Sequence, residues 1–308
     1  MNPSNSSFLA LSISISISAA HAAEPLTIEH QGLTREYLEH RSSAPATAPQ
    51  PLLIYLHGVR PPNWKNHTEP TIDALADREA VIVVYPKAVR ERWNYAAVMG
   101  SPPAMAGNKM ADDIAFISKL IDLYTSTKGA DAKRVYVMGD SRGGLMTFSL
   151  MCRLAGKIAA AAPMITGMTD IQIKSCKPSR AVPLMVVAGS KDPVQPYDGW
   201  LYPESGYRLL SVAETMEFWR VQHGCKGQTA ALIPHRVQED ATKLWKIDWT
   251  DCKLEGAVTL FGVDGGGHQV PGLVVHPDSE WLRQGGPQNH DIETIEEFWT
   301  FAKTFSRP

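Results

Sequence analysis

The most informative stretch of the chain is Gly139-Asp140-Ser141-Arg142-Gly143, a Gly-x-Ser-x-Gly pattern. The stretch 134–138 before it is typical of a short buried strand, and residues 144–154 after it have the pattern of a helix. A strand, a sharp turn and a helix hold such a serine in a strained backbone conformation with its hydroxyl exposed. Glycines on both sides let the strand and the helix approach closely. The stretch therefore predicts a nucleophilic serine, Ser141, at the end of a strand.

A serine in this setting is followed along the chain by an acid and then by a histidine. The histidines after the serine are His223, His235, His268, His276 and His290. His268 comes directly after the apolar run 257–261 and a glycine turn, from which its ring can swing towards the serine. His223 ends a helical pattern beside Gly224, and the other three lie in polar sequence. We therefore predict His268 as the general base.

The acid is expected after the strand that lies between the serine and the histidine in sequence. Asp192 follows the predicted strand 183–188, and catalytic groups collect at the carboxyl ends of the strands in open α/β sheets. Its role would be to accept the Nδ1–H of the histidine and stabilise the imidazolium. Asp198, in a turn, and Asp264, close in sequence to the histidine, are the alternatives. Position favours Asp192.

Acyl transfer also needs two backbone N–H donors for the oxyanion. The first is expected from Arg142, the residue after the serine. The second is expected from the loop that follows the early strand 51–56, where we assign Val59, with Arg60 as the alternative. His57 begins this loop and precedes the serine, so we predict a structural role for it within the loop.

Several further motifs occur in the same order as in a known family. They are Leu56-His57-Gly58, residues 112–117, residues 133–139, residues 192–199, Phe218-Trp219 followed by His223-Gly224-Cys225, and Gly265-Gly266-Gly267-His268. From about Leu33 onward the chain resembles the secreted esterases of the polyhydroxybutyrate depolymerase-like and feruloyl or acetylxylan esterase-like group. The family often has a small polar residue at Arg142, a tryptophan at Val270 and a cysteine at Val59. These departures leave the triad intact and the substrate open.

The resemblance implies an α/β-hydrolase fold, a doubly wound and mostly parallel sheet with helices on both faces. It implies a serine esterase that hydrolyses a small or polymeric ester through an acyl-enzyme, with Ser141, Asp192 and His268 as the triad. We expect no cofactor and no metal. Aromatic residues in the loops would shape the pocket, and among them we predict Trp93 as a substrate contact.

Length and charge agree with a single catalytic domain, assigned to residues 23–308. The chain has 308 residues and a formal net charge of −2, with its basic residues scattered, which argues against a nucleic-acid partner. Residues 1–22 are predicted to be a signal peptide, because an apolar run precedes the cleavage pattern Ala20-His21-Ala22. This segment predicts a secreted or periplasmic protein. No apolar run is long enough to span a bilayer, and the sequence does not predict the oligomeric state.

The cysteines fit an oxidising compartment. The chain has four, Cys152, Cys176, Cys225 and Cys252, which allow three pairings. Their spacing favours Cys152–Cys176 and Cys225–Cys252, each closing a loop of roughly 25 residues.

Two other functional classes remain open at this stage. A serine peptidase would use the same triad, although the chain has no room for a propeller domain. A polymer-binding protein with a vestigial site is the non-enzymatic alternative, and the intact Ser, Asp and His pattern argues against it.

Overall fold

The structure is a computed structural model, and it describes residues 25–59, 69–95, 111–203, 206–253, 256–273 and 284–308. The predicted signal peptide, Arg60 and His276 lie outside these ranges. Within them, no helix is both long enough and apolar enough to cross a membrane.

Ten strands form one large sheet, and two short strands form a separate hairpin. The strands are β1 Leu26–His30, β2 Leu33–His40, β3 Gln50–Leu56, β4 Ile82–Pro86, β5 Ala130–Asp140, β6 Ala160–Met164, β7 Leu184–Gly189, β8 Trp200–Tyr202, β9 Tyr207–Leu209, β10 Gly227–Leu232, β11 Lys243–Thr250 and β12 Val258–Asp264. The order in the large sheet is β1-β2-β4-β3-β5-β6-β7-β12-β11-β10, and β8 pairs with β9.

The centre of the sheet is parallel and both of its edges are antiparallel. Strands β4, β3, β5, β6, β7 and β12 pair in parallel, and their apolar residues are almost fully buried, as strands covered on both faces require. The antiparallel pair β1–β2 forms one of these edges. The second edge, β10–β11, was not predicted, because most residues of β10 are exposed and lack the alternation of a half-buried strand.

Helices cover both faces of this sheet. They are α1 Pro70–Glu79, α2 Asp113–Thr127, α3 Arg142–Arg153, α4 Asp170–Ser175, α5 Val212–His223 and α6 Thr294–Ala302. Apolar side chains of α2, α3 and α5 belong to one buried cluster, and those of α1 and α6 belong to a second cluster on the opposite face. The arrangement is the doubly wound sheet that was predicted.

A buried ion pair anchors the segment that precedes α2. Asp112 caps this helix, and its Oδ1 accepts the Ala115 N–H at 2.9 Å. Asp113 is fully buried and accepts from the Arg35 guanidinium at 2.6 Å and from the Asn94 N–H at 2.6 Å. These bonds hold the loop around residue 94 against β2, which lies between β1 and β4.

Two disulfides join the pairs that the spacing favoured. Cys152 at the end of α3 is bonded to Cys176 after α4, and Cys225 after α5 is bonded to Cys252 after β11. The bridges span 24 and 27 residues. The first one ties the end of the helix that follows Ser141 to a neighbouring loop.

We expect the double variant Cys152→Ser/Cys176→Ser to lose about 3 kcal/mol of unfolding free energy, because the open loop gains conformational entropy in the unfolded state. Urea unfolding followed by tryptophan fluorescence would measure the loss, with the intact Cys225–Cys252 bridge present in both proteins. Equal unfolding free energies would contradict the prediction.

Candidate active site

The predicted catalytic residues lie at the carboxyl ends of the parallel strands, although they are far apart in sequence. Ser141 follows β5, Asp192 follows β7 and His268 follows β12. These three strands run parallel to one another in the centre of the sheet. Their carboxyl ends therefore lie at the same end of the sheet. His57 and Gly58 follow β3 at this end too.

Ser141 occupies a strained turn between β5 and α3. Its backbone has φ 54° and ψ −116°, a combination that L-residues rarely adopt. A Cβ atom at Gly139 would overlap the Gly143 carbonyl, and one at Gly143 would overlap the Leu56 carbonyl oxygen. Only glycine permits these approaches, and they allow α3 to begin directly beside β3 and β5.

Hydrogen bonds connect the three side chains in the order required for proton transfer. Ser141 Oγ lies 2.9 Å from His268 Nε2, and His268 Nδ1 lies 2.6 Å from Asp192 Oδ2. All three residues have little exposed side chain. The second carboxylate oxygen, Asp192 Oδ1, accepts the backbone N–H groups of Val194 at 2.8 Å and Gln195 at 2.7 Å. The acid therefore orients the histidine with one oxygen and its own loop with the other.

The competing acids and histidines have other partners. Asp264 accepts from the Ser190 hydroxyl, and Asp198 forms no hydrogen bond with His268. The ring nitrogens of His223 contact the carbonyl oxygens of Trp219 and Val182. His235 contacts Asp291, and His290 contacts Asp240. In the ranges that the structure describes, no group of three or more His, Cys, Asp or Glu residues is arranged to hold a metal ion.

The loop after β3 is attached directly to the turn that contains Ser141. Asp140 Oδ1 accepts the Gly58 N–H at 3.0 Å and the Tyr55 hydroxyl at 2.7 Å. A Cβ atom at Gly58 would overlap the Asp140 carboxylate and press on Ser141, so this position also requires glycine. His57 contacts the Gly58 carbonyl through Nδ1 and accepts the Ala88 N–H through Nε2, which agrees with the structural role predicted for it.

The positions of the two predicted oxyanion donors, Arg142 and Val59, can be compared with these contacts. The Gly58 N–H donates to Asp140 Oδ1, and the amide of Val59 is the next one along the loop. Arg142 is the first residue of α3, and N–H groups of the first helical turn have no partner within the helix. The arrangement is compatible with Arg142 and Val59 as the two donors.

The structure corrects the assignment of Trp93. Its side chain is 1% exposed, and its Nε1 donates to the His57 carbonyl at 2.8 Å. The indole also packs against the imidazole of His57, with 5.0 Å between the ring centroids. Trp93 therefore supports the loop after β3 from the core and is not placed to contact a substrate. Its position in an aromatic loop suggested exposure that tertiary packing removes.

Two polar residues near Ser141 were not predicted from the sequence. Asp140 occupies the variable position directly before Ser141, and Gln195 lies in the stretch 192–199 that follows the predicted acid. The Gln195 Nε2 atom is 3.5 Å from Ser141 Oγ. Both lie within motifs already noted, and that proximity was the only signal in the sequence for either residue.

Comparison with known proteins finds similarity to esterases. No protein-family model matches the chain. The chain is 28% identical over 225 residues to feruloyl esterase B of Piromyces equi, which covers 71% of this chain and 39% of that protein. It is also 28% identical over 258 residues to the bifunctional acetylxylan esterase/xylanase XynS20E of Neocallimastix patriciarum, which covers 81% of this chain and 31% of that protein. The chain thus spans about a third of the length of these two relatives.

Solved structures share the fold. An acetyl xylan esterase from Aspergillus awamori superimposes with a TM-score of 0.54 at 15% identity, covering 84% of this chain and 98% of that one. A thermostable esterase superimposes with a TM-score of 0.53 at 17% identity, covering 93% of this chain and 64% of that one. At such low identity the likeness concerns the fold alone, and the chain has the α/β-hydrolase fold.

Proposed function

We propose that this protein is a serine carboxylic ester hydrolase, with Ser141 as nucleophile, His268 as general base and Asp192 as the acid that orients it. The observation that carries the proposal is the continuous chain of hydrogen bonds, 2.9 Å from Ser141 Oγ to His268 Nε2 and 2.6 Å from His268 Nδ1 to Asp192 Oδ2. The similarity to enzymes named as esterases supports it.

Acylation follows from this geometry. His268 Nε2 accepts the Ser141 proton while Oγ attacks the ester carbonyl, and Asp192 stabilises the imidazolium through Nδ1–H. The carbonyl oxygen becomes an oxyanion and accepts the N–H groups of Arg142 and Val59. The helix dipole of α3 favours negative charge at this end of the helix. When the intermediate collapses, His268 gives its proton to the departing alcohol.

Deacylation repeats the steps with water as the nucleophile. His268 takes a proton from water, the hydroxide attacks the acyl carbon, and the same two N–H groups hold the oxyanion. The bond between the acyl carbon and Ser141 Oγ then breaks, and His268 returns a proton to Oγ. The free acid leaves and the serine is regenerated.

The names of the two relatives suggest substrates. Feruloyl and acetyl esters of xylan-type polysaccharides are the first candidates, and a polyhydroxyalkanoate ester remains a further one from the motif resemblance. We also propose a secreted or periplasmic location, where polymeric esters of this kind occur. The two disulfides support this location, because such bonds persist in oxidising compartments.

The test is hydrolysis of an ester panel by the purified protein. The panel holds p-nitrophenyl acetate and butyrate, methyl ferulate, acetylated xylan and a hydroxybutyrate oligomer, with matching p-nitroanilides as amide controls. Turnover of esters that exceeds turnover of the amides is expected, and the preferred acyl group would identify the substrate class. Hydrolysis of the amides alone would favour a peptidase, and a folded protein without any turnover would contradict the proposal.

Asp140 is predicted to position the oxyanion loop. We expect Asp140→Ala to lower kcat by about 10²-fold with little change in KM, because the freed Gly58 segment moves the Val59 donor away from the oxyanion. Steady-state kinetics on p-nitrophenyl acetate would measure both constants.

Tyr55→Phe is the matched control for this prediction. It removes the second donor to Asp140 and keeps the bond from Gly58, so its kcat should stay within a few-fold of the wild-type value. An Asp140→Ala protein with wild-type kcat would show that the bond does not position the loop.

A further inference from the structure

Gln195 is held close to the nucleophile by the triad acid itself. The residue is 8% exposed, and its backbone N–H donates to Asp192 Oδ1 at 2.7 Å. The same oxygen accepts the Val194 N–H, so residues 192–195 form a tight turn. This turn directs the Gln195 carboxamide at Ser141, with Nε2 at 3.5 Å from Oγ.

Thr166 contacts the other end of the carboxamide. It follows β6 at the same end of the sheet and is 2% exposed. Its hydroxyl lies within hydrogen-bond distance of Gln195 Oε1 and 3.0 Å from the Gly167 carbonyl. The absence of a side chain at Gly144 allows this approach, because a Cβ atom there would overlap Thr166 Cγ2.

The positions of the hydroxyl protons decide whether Nε2 or Oε1 of the Gln195 carboxamide faces Ser141. The Ser141 proton is directed to His268 Nε2, so the side of Oγ that faces Gln195 carries a lone pair. With Nε2 towards Oγ, this lone pair meets an N–H donor, and Oε1 accepts the Thr166 proton. In the reverse orientation Oε1 would face the lone pair of Oγ, which is repulsive. The orientation with the N–H towards Ser141 is therefore the stable one.

We propose that Gln195 is a catalytic residue whose carboxamide N–H donates to Ser141 Oγ when negative charge develops on that oxygen. The inference rests on the proposed function, because it assigns the donor to a step of the ester hydrolysis. At 3.5 Å the contact is long for a hydrogen bond, and catalytic hydrogen bonds without substrate shorten as charge builds up. The N–H groups of Arg142 and Val59 donate to the oxygen of the ester carbonyl, and the Gln195 carboxamide donates to the oxygen of Ser141.

The step that benefits most is deacylation. In the second tetrahedral intermediate the bond between the acyl carbon and Oγ breaks, and its electron pair moves onto Oγ. The proton that His268 took from water passes to the same oxygen. A donor from Gln195 stabilises Oγ as a leaving group during this transfer, so it accelerates loss of the acyl group more than its attachment.

The experiment compares acylation and deacylation in the variant Gln195→Met, which keeps the length of the side chain and removes the donor. Rapid mixing with p-nitrophenyl acetate gives the burst of p-nitrophenol for acylation and the steady-state rate for deacylation. Mass spectrometry of acid-quenched protein gives the acetylated fraction. We expect deacylation to slow about tenfold, acylation to change less, and the acetylated fraction to rise.

Two further variants keep the inference testable if Gln195→Met does not fold. Gln195→Glu turns an oxygen towards Oγ, and we expect it to slow deacylation more than the methionine variant does. Thr166→Val frees the carboxamide to rotate, so it should slow deacylation less than Gln195→Glu does. Where Gln195→Met folds, the effect of Thr166→Val should vanish in the double variant. Gln222→Met makes the same exchange at an exposed position of α5 and should leave both rates unchanged.

The outcomes separate this inference from the proposed function. Ester turnover by the wild type with unchanged deacylation in Gln195→Met would overturn the role of Gln195 and leave the esterase intact. A change in KM alone, or equal losses in both steps, would also overturn it, because these indicate substrate binding or a general distortion. Absence of ester turnover in the wild type would reject the proposed function itself.

Discussion

The variant Ser141→Ala is expected to lose about 10⁶-fold in kcat for ester hydrolysis. Alanine has no oxygen to attack the carbonyl, so no acyl-enzyme forms, and the remaining triad members have no nucleophile to activate. The backbone at this position is strained for any L-residue, so alanine adds no new strain to the turn. Initial rates on p-nitrophenyl acetate at high enzyme concentration would measure the loss.

Ser149→Ala is the matched control for this variant. Ser149 is a buried serine on α3, and its hydroxyl donates to the Tyr95 carbonyl at 3.0 Å, away from the triad. Its removal should cost stability and leave kcat within a few-fold of wild type. Wild-type kcat in Ser141→Ala, with its circular dichroism spectrum unchanged, would exclude Ser141 as the nucleophile.

The variant Asp192→Asn has the second largest expected effect, a loss of about 10⁴-fold in kcat. An amide NH₂ in place of Oδ2 would face His268 Nδ1, and it favours the tautomer in which the histidine proton lies on Nε2. A histidine in that state cannot accept the proton of Ser141. The amide oxygen can still accept from Val194 and Gln195, so the turn after β7 should survive. Steady-state kinetics together with thermal unfolding would measure activity and stability in the same sample.

The rival acids provide the controls. Asp198→Asn and Asp264→Asn make the same chemical change at positions without a hydrogen bond to His268, so their kcat should remain close to wild type. An inactive Asp198→Asn variant beside an active Asp192→Asn variant would transfer the role of the acid to Asp198.

Errors in the sequence-based interpretation have two physical causes. Trp93 was expected to contact a substrate because it lies in an aromatic loop, yet its side chain is buried and its indole N–H donates to the His57 carbonyl. The β10–β11 edge was missed because an exposed antiparallel edge needs little apolar patterning and is stabilised by pairing with β12. The bond that buries Trp93 joins residues 36 positions apart in sequence, whereas the β10–β11 edge depends on pairing between consecutive strands.

The sequence alone determined the elements that depend on local pattern. Continuous apolar runs identify the central strands, because strands buried on both faces have no polar side. The glycines and the serine of residues 139–143 identify the turn of the nucleophile, because few other residues fit a strand and a helix that lie so close. The order of the motifs then pointed to Asp192 and His268.

Only the tertiary structure decided how residues from separate strands act on one atom. Asp140 bonds to Gly58, which is 82 positions away, and Gln195 reaches Ser141 across 54 positions. The sheet order creates these contacts, because it brings the carboxyl ends of β3, β5, β6 and β7 to one end of the sheet. The order of the strands in the sheet cannot be read from a residue's type or from its neighbours in sequence. The hydrogen-bond donors around Ser141 are therefore identified only in the folded chain.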